Sequence, residues 1–232
     1  MLIRGWARTS LIDFPEHVAS VVFTGGCSFR CPMCHNAELV LRPEALPVIA
    51  PEDVLEFLRR RKGLVDGLVV TGGEPTLQRD LPDFMRRARE EGVALKLDTN
   101  GYHPEPLQRL LEDGLLDYVA MDVKAPPESY AILAGLKEMD LARINTSIHL
   151  LRTSGVAHEF RTTVVPDWLH AEELLAIGRW LQGESRYVLQ QFRPQGTLDP
   201  RLESLEPYSA EDLRSMAVAV QPFFHEVLVR GL

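Results

Sequence analysis

Cysteine is scarce in this chain of 232 residues: there are three, all between positions 27 and 34. An odd number gathered into eight positions argues against a disulfide framework and for a metal or catalytic site. Long apolar runs are missing as well. No stretch approaches the roughly 18 residues that a spanning helix needs, and Met1 to Pro15 carries charges where a signal peptide would have its apolar core. A cytoplasmic protein with no membrane partner is expected. Positive charge is also thin. The formal net charge is -8, and no run of five like charges could follow a nucleic-acid backbone, so nucleic acid is not an expected partner.

What is present suits one domain over residues 1–232, because a chain 45% hydrophobic at this length can bury a full core. Apolar, β-branched runs recur at Val18 to Phe23, Gly67 to Thr71, Val93 to Asp98, Tyr118 to Asp122, Phe160 to Val165 and Tyr187 to Gln191. Their near-continuous hydrophobicity predicts parallel strands covered on both faces. Helical faces lie between them, such as Val54, Phe57 and Leu58, then Leu81, Phe84, Met85 and Ala88, then Leu107, Leu110 and Leu111. Ser209 and Asp212 predict the capping box of a last helix carrying Leu213, Met216, Ala217 and Val220. The α/β alternation fits an open sheet or part of a barrel, and periodicity alone does not choose.

The three cysteines fall in Gly25-Gly26-Cys27-Ser28-Phe29-Arg30-Cys31-Pro32-Met33-Cys34-His35, directly after the first predicted strand. Three soft thiolates at C-x3-C-x2-C spacing can wrap an iron-sulfur cube and leave one iron open, as a reacting cofactor requires. Other chemistries use the same residues. Cys27, Cys31, Cys34 and His35 could hold a structural zinc, although such sites usually come as two separated pairs. Cys31 to His35 spells a haem-attachment pattern that leaves Cys27 unused. Inert buried thiols give no reason for the clustering. The loop resembles the signature of the radical S-adenosylmethionine (SAM) superfamily, in which the residue before the last cysteine is usually aromatic. Here it is Met33, whose thioether can still contact an adenine ring.

Further candidates end the next strands. Gly72 and Gly73 permit a tight turn and close backbone approach, and Glu74 offers an anion to an ammonium group. Gly-Gly alone is as often an ordinary turn. After a cysteine loop it resembles the superfamily's glycine-rich motif, which binds the amino group of SAM. Asp98-Thr99-Asn100-Gly101 follows, then Asp122 and Lys124, one of only four lysines. Turn and cap roles would explain the first group. Asp98 and Asp122 could instead hold a cation or hydroxyls, and Lys124 a carboxylate. Thr163 and Arg193, at the last two strand ends, could meet ribose or substrate. All fall where α/β proteins place their sites.

Thr9 to Pro15, the cysteine loop with His35-Asn36, Thr71 to Gln78, Lys96 to Gly101, Tyr118 to Pro126 and Tyr187 to Pro194 together resemble the anaerobic ribonucleoside-triphosphate reductase activating proteins. That resemblance implies a partial (β/α)6 barrel of TIM type and one [4Fe-4S] cluster on Cys27, Cys31 and Cys34. It also implies SAM bound near Met33, His35 and the strand-end residues, with a monovalent cation beside Asp98 and Asp122. The expected partner is a glycyl-radical protein, anaerobic ribonucleotide reductase, with flavodoxin or ferredoxin as electron donor. Radical chemistry on a small molecule, as in 7-carboxy-7-deazaguanine synthases, is the alternative enzyme; an electron carrier or a zinc module is the non-enzyme alternative.

Overall fold

Each of the six apolar runs forms a strand in the computed structural model, which describes residues 1–232. The strands are β1 (Ile3–Ser10), β2 (Ala19–Thr24), β3 (Gly67–Gly72), β4 (Ala94–Thr99), β5 (Tyr118–Asp122), β6 (Ala157–Val164), β7 (Glu184–Gln191) and β8 (Phe224–Arg230). The helices are α1 (Ala37–Leu41), α2 (Pro51–Arg60), α3 (Leu81–Glu90), α4 (Pro104–Glu112), α5 (Tyr130–Leu133), α6 (Leu141–Ser154), α7 (Ala171–Trp180) and α8 (Ala210–Val220). The chain divides into two compact units: Met1–Ser28, Glu38–Ala120 and Ala142–Ala157 form the first, and Phe29–Ala37, Met121–Leu141 and His158–Leu232 the second.

In the first unit β2, β3 and β4 run parallel, with Ala19 opposite Gly67 and Gly67 opposite Ala94, and β5 follows β4. Leu68, Val69 and Val70 are fully buried, and Val69 packs in a core cluster with Phe14, Ala19, Val21, Tyr118 and Ala120. Each such side chain contributes roughly 1.5–3 kcal/mol by leaving water. α3 buries the four predicted residues Leu81, Phe84, Met85 and Ala88, and α2 buries Val54, Leu55 and Leu58. Pro51 opens α2, with acidic residues in its first turn and Arg59 and Arg60 in its last, matching the helix dipole.

β1 adds an antiparallel edge to β2, which the sequence reading did not include. Its sequence, IRGWARTS, lacks a continuous apolar run because an edge strand needs only partial burial. Trp6 Nε1 donates to Ser20 Oγ at 2.8 Å, and the Trp6 ring meets Phe57 edge-on at 5.2 Å. The loop after β1 is pinned by Lys96. This nearly fully buried lysine of β4 donates to the Asp13 carbonyl at 2.6 Å and pairs with Asp98 at 2.7 Å.

The second unit holds β6, β7 and β8, parallel and in register. β8 is the other strand absent from the sequence reading, and it too is half-exposed along most of its length. The capping box of α8 forms as predicted: Ser209 Oγ accepts from the Asp212 backbone at 3.1 Å, and Asp212 accepts from the Ser209 backbone at 3.2 Å. No helix is long and apolar enough to cross a membrane.

Candidate active site

In the first unit the strand ends of β2, β3 and β4 are tied together through the glycine turn. The Gly73 N–H donates to the Thr24 carbonyl at 2.9 Å and the Glu74 N–H to the Gly26 carbonyl at 2.8 Å. Gly72 sits at φ +118, and a Cβ there would lie 2.3 Å from the Thr24 nitrogen. A Cβ on Gly73 would lie 2.0 Å from the Gly26 oxygen. Both positions therefore exclude any side chain, and the backbone leading into Cys27 lies directly against the turn.

Glu74 is engaged within the protein. Its carboxylate is fully buried and accepts from Thr76 N at 3.0 Å, Thr76 Oγ1 at 2.6 Å, Thr99 Oγ1 at 2.8 Å and Asn100 N at 2.7 Å. Burial pushes its pKa up, while these donors pull against that shift. With both oxygens engaged, Glu74 holds the β3 and β4 ends together. Asn100 is turned toward the cysteine loop, with Nδ2 3.7 Å from Cys27 Sγ and 3.4 Å from Ser28 Oγ.

The second unit holds the rest of the loop. The Arg30 N–H donates to the Ala134 carbonyl at 2.8 Å, and the carbonyls of Pro32 and Cys34 accept from Asp199 and Leu198, each at 2.9 Å. His35 Nε2 lies 2.8 Å from the Arg193 carbonyl, so Arg193 contributes its backbone while its side chain is exposed. Met33 is buried, and Thr163 is half-buried in β6 opposite Gln190.

Beside this loop, Asp122 pairs with Lys124 Nζ and with Arg161 Nε, each at 2.8 Å. Burial works to raise the pKa of Asp122, but Arg161 and Lys124 outweigh it and hold the carboxyl down at about 2. Burial would lower the pKa of Lys124, yet Asp122 and then Cys31 raise it above the usual lysine value. Two cations on one carboxylate leave one positive charge. Arg161 is the residue that sequence reasoning passed over. The available signal was an arginine between Phe160 and the Thr162-Thr163 pair near the end of β6.

Asp98 and Asp122 thus each carry a cationic partner. A monovalent cation would compete with Lys96 for one and with Arg161 and Lys124 for the other.

The donor set fits an iron-sulfur cluster. None of the three cysteines is in a disulfide, and the chain has no fourth. Burial raises the Cys31 thiol to about 11 and also raises Cys34, with Lys124 pulling both down in part. Such thiols stay protonated until a cation compensates the thiolate, which is how metal binding is coupled to proton release. No three His, Cys, Asp or Glu side chains gather as ligands of a single ion. The thiolates of a four-iron cube bind different irons and need not converge on a point.

Residues 21–181 match the family model described as the radical SAM superfamily. Over 237 aligned positions the chain is 32% identical to a Methanocaldococcus jannaschii protein named "Putative glycyl-radical enzyme activating enzyme", covering 100% of this chain and 96% of that one. It is 31% identical over 131 residues to the pyruvate formate-lyase-activating enzyme of Clostridium pasteurianum, covering 54% of this chain and 53% of the relative. Among solved structures, Streptococcus suis SuiB bound to its precursor peptide SuiA has a TM-score of 0.72 at 15% identity, covering 91% of this chain and 48% of SuiB. SuiB bound to S-adenosylmethionine gives 0.70 at 15% identity, covering 89% of this chain and 48% of SuiB. The chain therefore spans about half the length of the last two proteins. The likeness to SuiB gives the fold class, the α/β partial barrel of radical SAM enzymes. With a family match over more than half its length and a relative matched from end to end, this chain belongs to the radical SAM superfamily.

Proposed function

We propose that residues 1–232 act as one domain of a cytoplasmic enzyme that cleaves SAM reductively and generates a glycyl radical on a partner protein. Membership of the superfamily implies a [4Fe-4S] cluster and SAM. In this reading Cys27, Cys31 and Cys34 would hold the cluster, and three thiolates on a four-iron cube would leave one iron open to SAM. When bound and reduced, the cluster supplies the electron that splits SAM into methionine and a 5′-deoxyadenosyl radical. The protein orients the cofactor and keeps water and stray hydrogen donors away.

The residues divide this work. The Gly72-Gly73 turn gives the close backbone approach that the methionine end of SAM needs. The net positive charge on Asp122, Lys124 and Arg161 suits its carboxylate. Lys124→Ala should weaken SAM binding about ten- to a hundredfold, as expected for a charged hydrogen bond worth roughly 1.5–3 kcal/mol. Equilibrium binding to cluster-loaded protein, with iron content unchanged, checks this; unaltered affinity would remove Lys124 from the site.

The observation that carries the partner assignment is the end-to-end similarity to a relative named for glycyl-radical activation. Glycine suits the reaction because it has no Cβ to hinder approach, and flanking amides stabilise its Cα radical. We take the partner to be anaerobic ribonucleoside-triphosphate reductase and the electron donor to be a flavodoxin or ferredoxin. Reduced enzyme mixed with SAM and that reductase should give a glycyl doublet by electron paramagnetic resonance, lost when one reductase glycine is replaced. No doublet, together with SAM turnover that converts a small metabolite, would assign the enzyme to small-molecule chemistry instead.

A further inference from the structure

Asn100 closes the turn after β4 and is itself 6% exposed. Its backbone N–H is fixed on Glu74 Oε2 at 2.7 Å, and its Oδ1 accepts from the Tyr102 N–H at 2.9 Å. The second bond decides which way the side-chain amide faces, because a backbone N–H can donate only to the oxygen. Nδ2 is therefore the atom that faces the cysteine loop. It lies 3.7 Å from Cys27 Sγ and 3.4 Å from Ser28 Oγ, so its two hydrogens have one acceptor each.

We infer that Asn100 is a positioning residue for the cluster, donating an N–H···S hydrogen bond to the Cys27 sulfur that raises the cluster's reduction potential. Adding an electron places more negative charge on the sulfurs, so a donor aimed at one of them stabilises the reduced state more than the oxidised state. Asn100 is buried and Cys27 half-buried, and this partly desolvated setting strengthens the effect of the donor. Glu74 completes the device: one bond fixes the Asn100 backbone N–H, and those from Thr76 and Thr99 hold the buried carboxylate in place.

The inference rests on the cluster assignment and is independent of the partner. Two variants keep the turn and remove the amide donor. In Asn100→Ser the hydroxyl can still accept from Tyr102 N–H but is too short to reach Cys27. In Asn100→Asp the carboxylate accepts in place of Oδ1 and adds a charge. Redox titration of anaerobically loaded protein without SAM, followed by electron paramagnetic resonance, reads the midpoint potential. Both variants should hold about four irons and show a reduction equilibrium about tenfold less favourable, or about 59 mV lower for one electron. The Asp variant should fall further than the Ser variant. A normal potential in Asn100→Ser overturns the inference whatever the Asp variant does, because charge alone would then explain the latter. If Asn100→Ser does not hold iron, Asn100→Thr replaces it under the same criterion. Failure of the cluster assignment looks different: wild-type protein would itself bind no sulfide-bearing cluster.

Discussion

Cys31→Ala protein, reconstituted under strict anaerobiosis, is expected to hold far fewer than four irons per chain and to release no 5′-deoxyadenosine from SAM. Wild-type protein should hold about four irons and four sulfides, the complement of one cubane cluster. The same loss is expected for Cys27→Ala and Cys34→Ala, since the chain has no other thiol to substitute. Cys31 is the sharpest of the three tests. It is buried, with its thiol raised to about 11, so nothing in the unliganded protein favours its thiolate strongly enough to overcome burial. A variant at this position therefore removes a group whose ionised form is sustained by the metal. Iron and sulfide analysis with 5′-deoxyadenosine quantification checks the prediction, and a full iron complement in Cys31→Ala would remove that residue from the ligand set.

Gly73→Ala is expected to be nearly as damaging, and to damage two functions together. Seen in the sequence alone, this glycine serves SAM, and a side chain there should leave the cluster intact. The structure changes that expectation. The new Cβ would lie 2.0 Å from the Gly26 oxygen and 2.7 Å from the Gly26 carbonyl carbon, both backbone atoms that have no rotamer to swing away. Something must move, and the mobile choices are the turn itself or the segment leading into Cys27. The variant should lose SAM affinity by more than a hundredfold and also bind less iron. Overpacking of this kind costs about 1–3 kcal/mol, or on the order of 5 °C in melting temperature for a chain of this size. Binding, iron analysis and thermal unfolding separate these effects. Full iron content with weakened SAM binding would restore the simpler expectation.

The local patterns that the sequence carries well are those whose physics is local. Continuous apolar runs became β2 to β7, the helix faces of α3 and α8 fell where their periodicity put them, and Ser209 caps with Asp212 as read. β1 and β8 escaped because edge strands need no continuous burial and so write no continuous pattern. The candidate residues were found by their place at strand ends. Their roles were harder to read, because those depend on neighbours distant in sequence. Glu74 looks like a free anion until Thr99 and Asn100, some 26 positions away, arrive on its oxygens. Asp122 and Lys124 form a visible pair, but Arg161, from 39 positions onward, completes the charge. Asn100, which reads as a turn residue, reaches Cys27 across 73 positions.

The central claim is that this chain uses an iron-sulfur cluster to break SAM. It is tested most directly by reconstituting wild-type protein anaerobically, reducing it with dithionite in the presence of SAM, and quantifying 5′-deoxyadenosine and methionine. The expected result is equimolar formation of both products, absent from the three cysteine variants and absent without reductant. Protein that carries a full cluster, binds SAM and yet forms no 5′-deoxyadenosine under any reducing condition would contradict it.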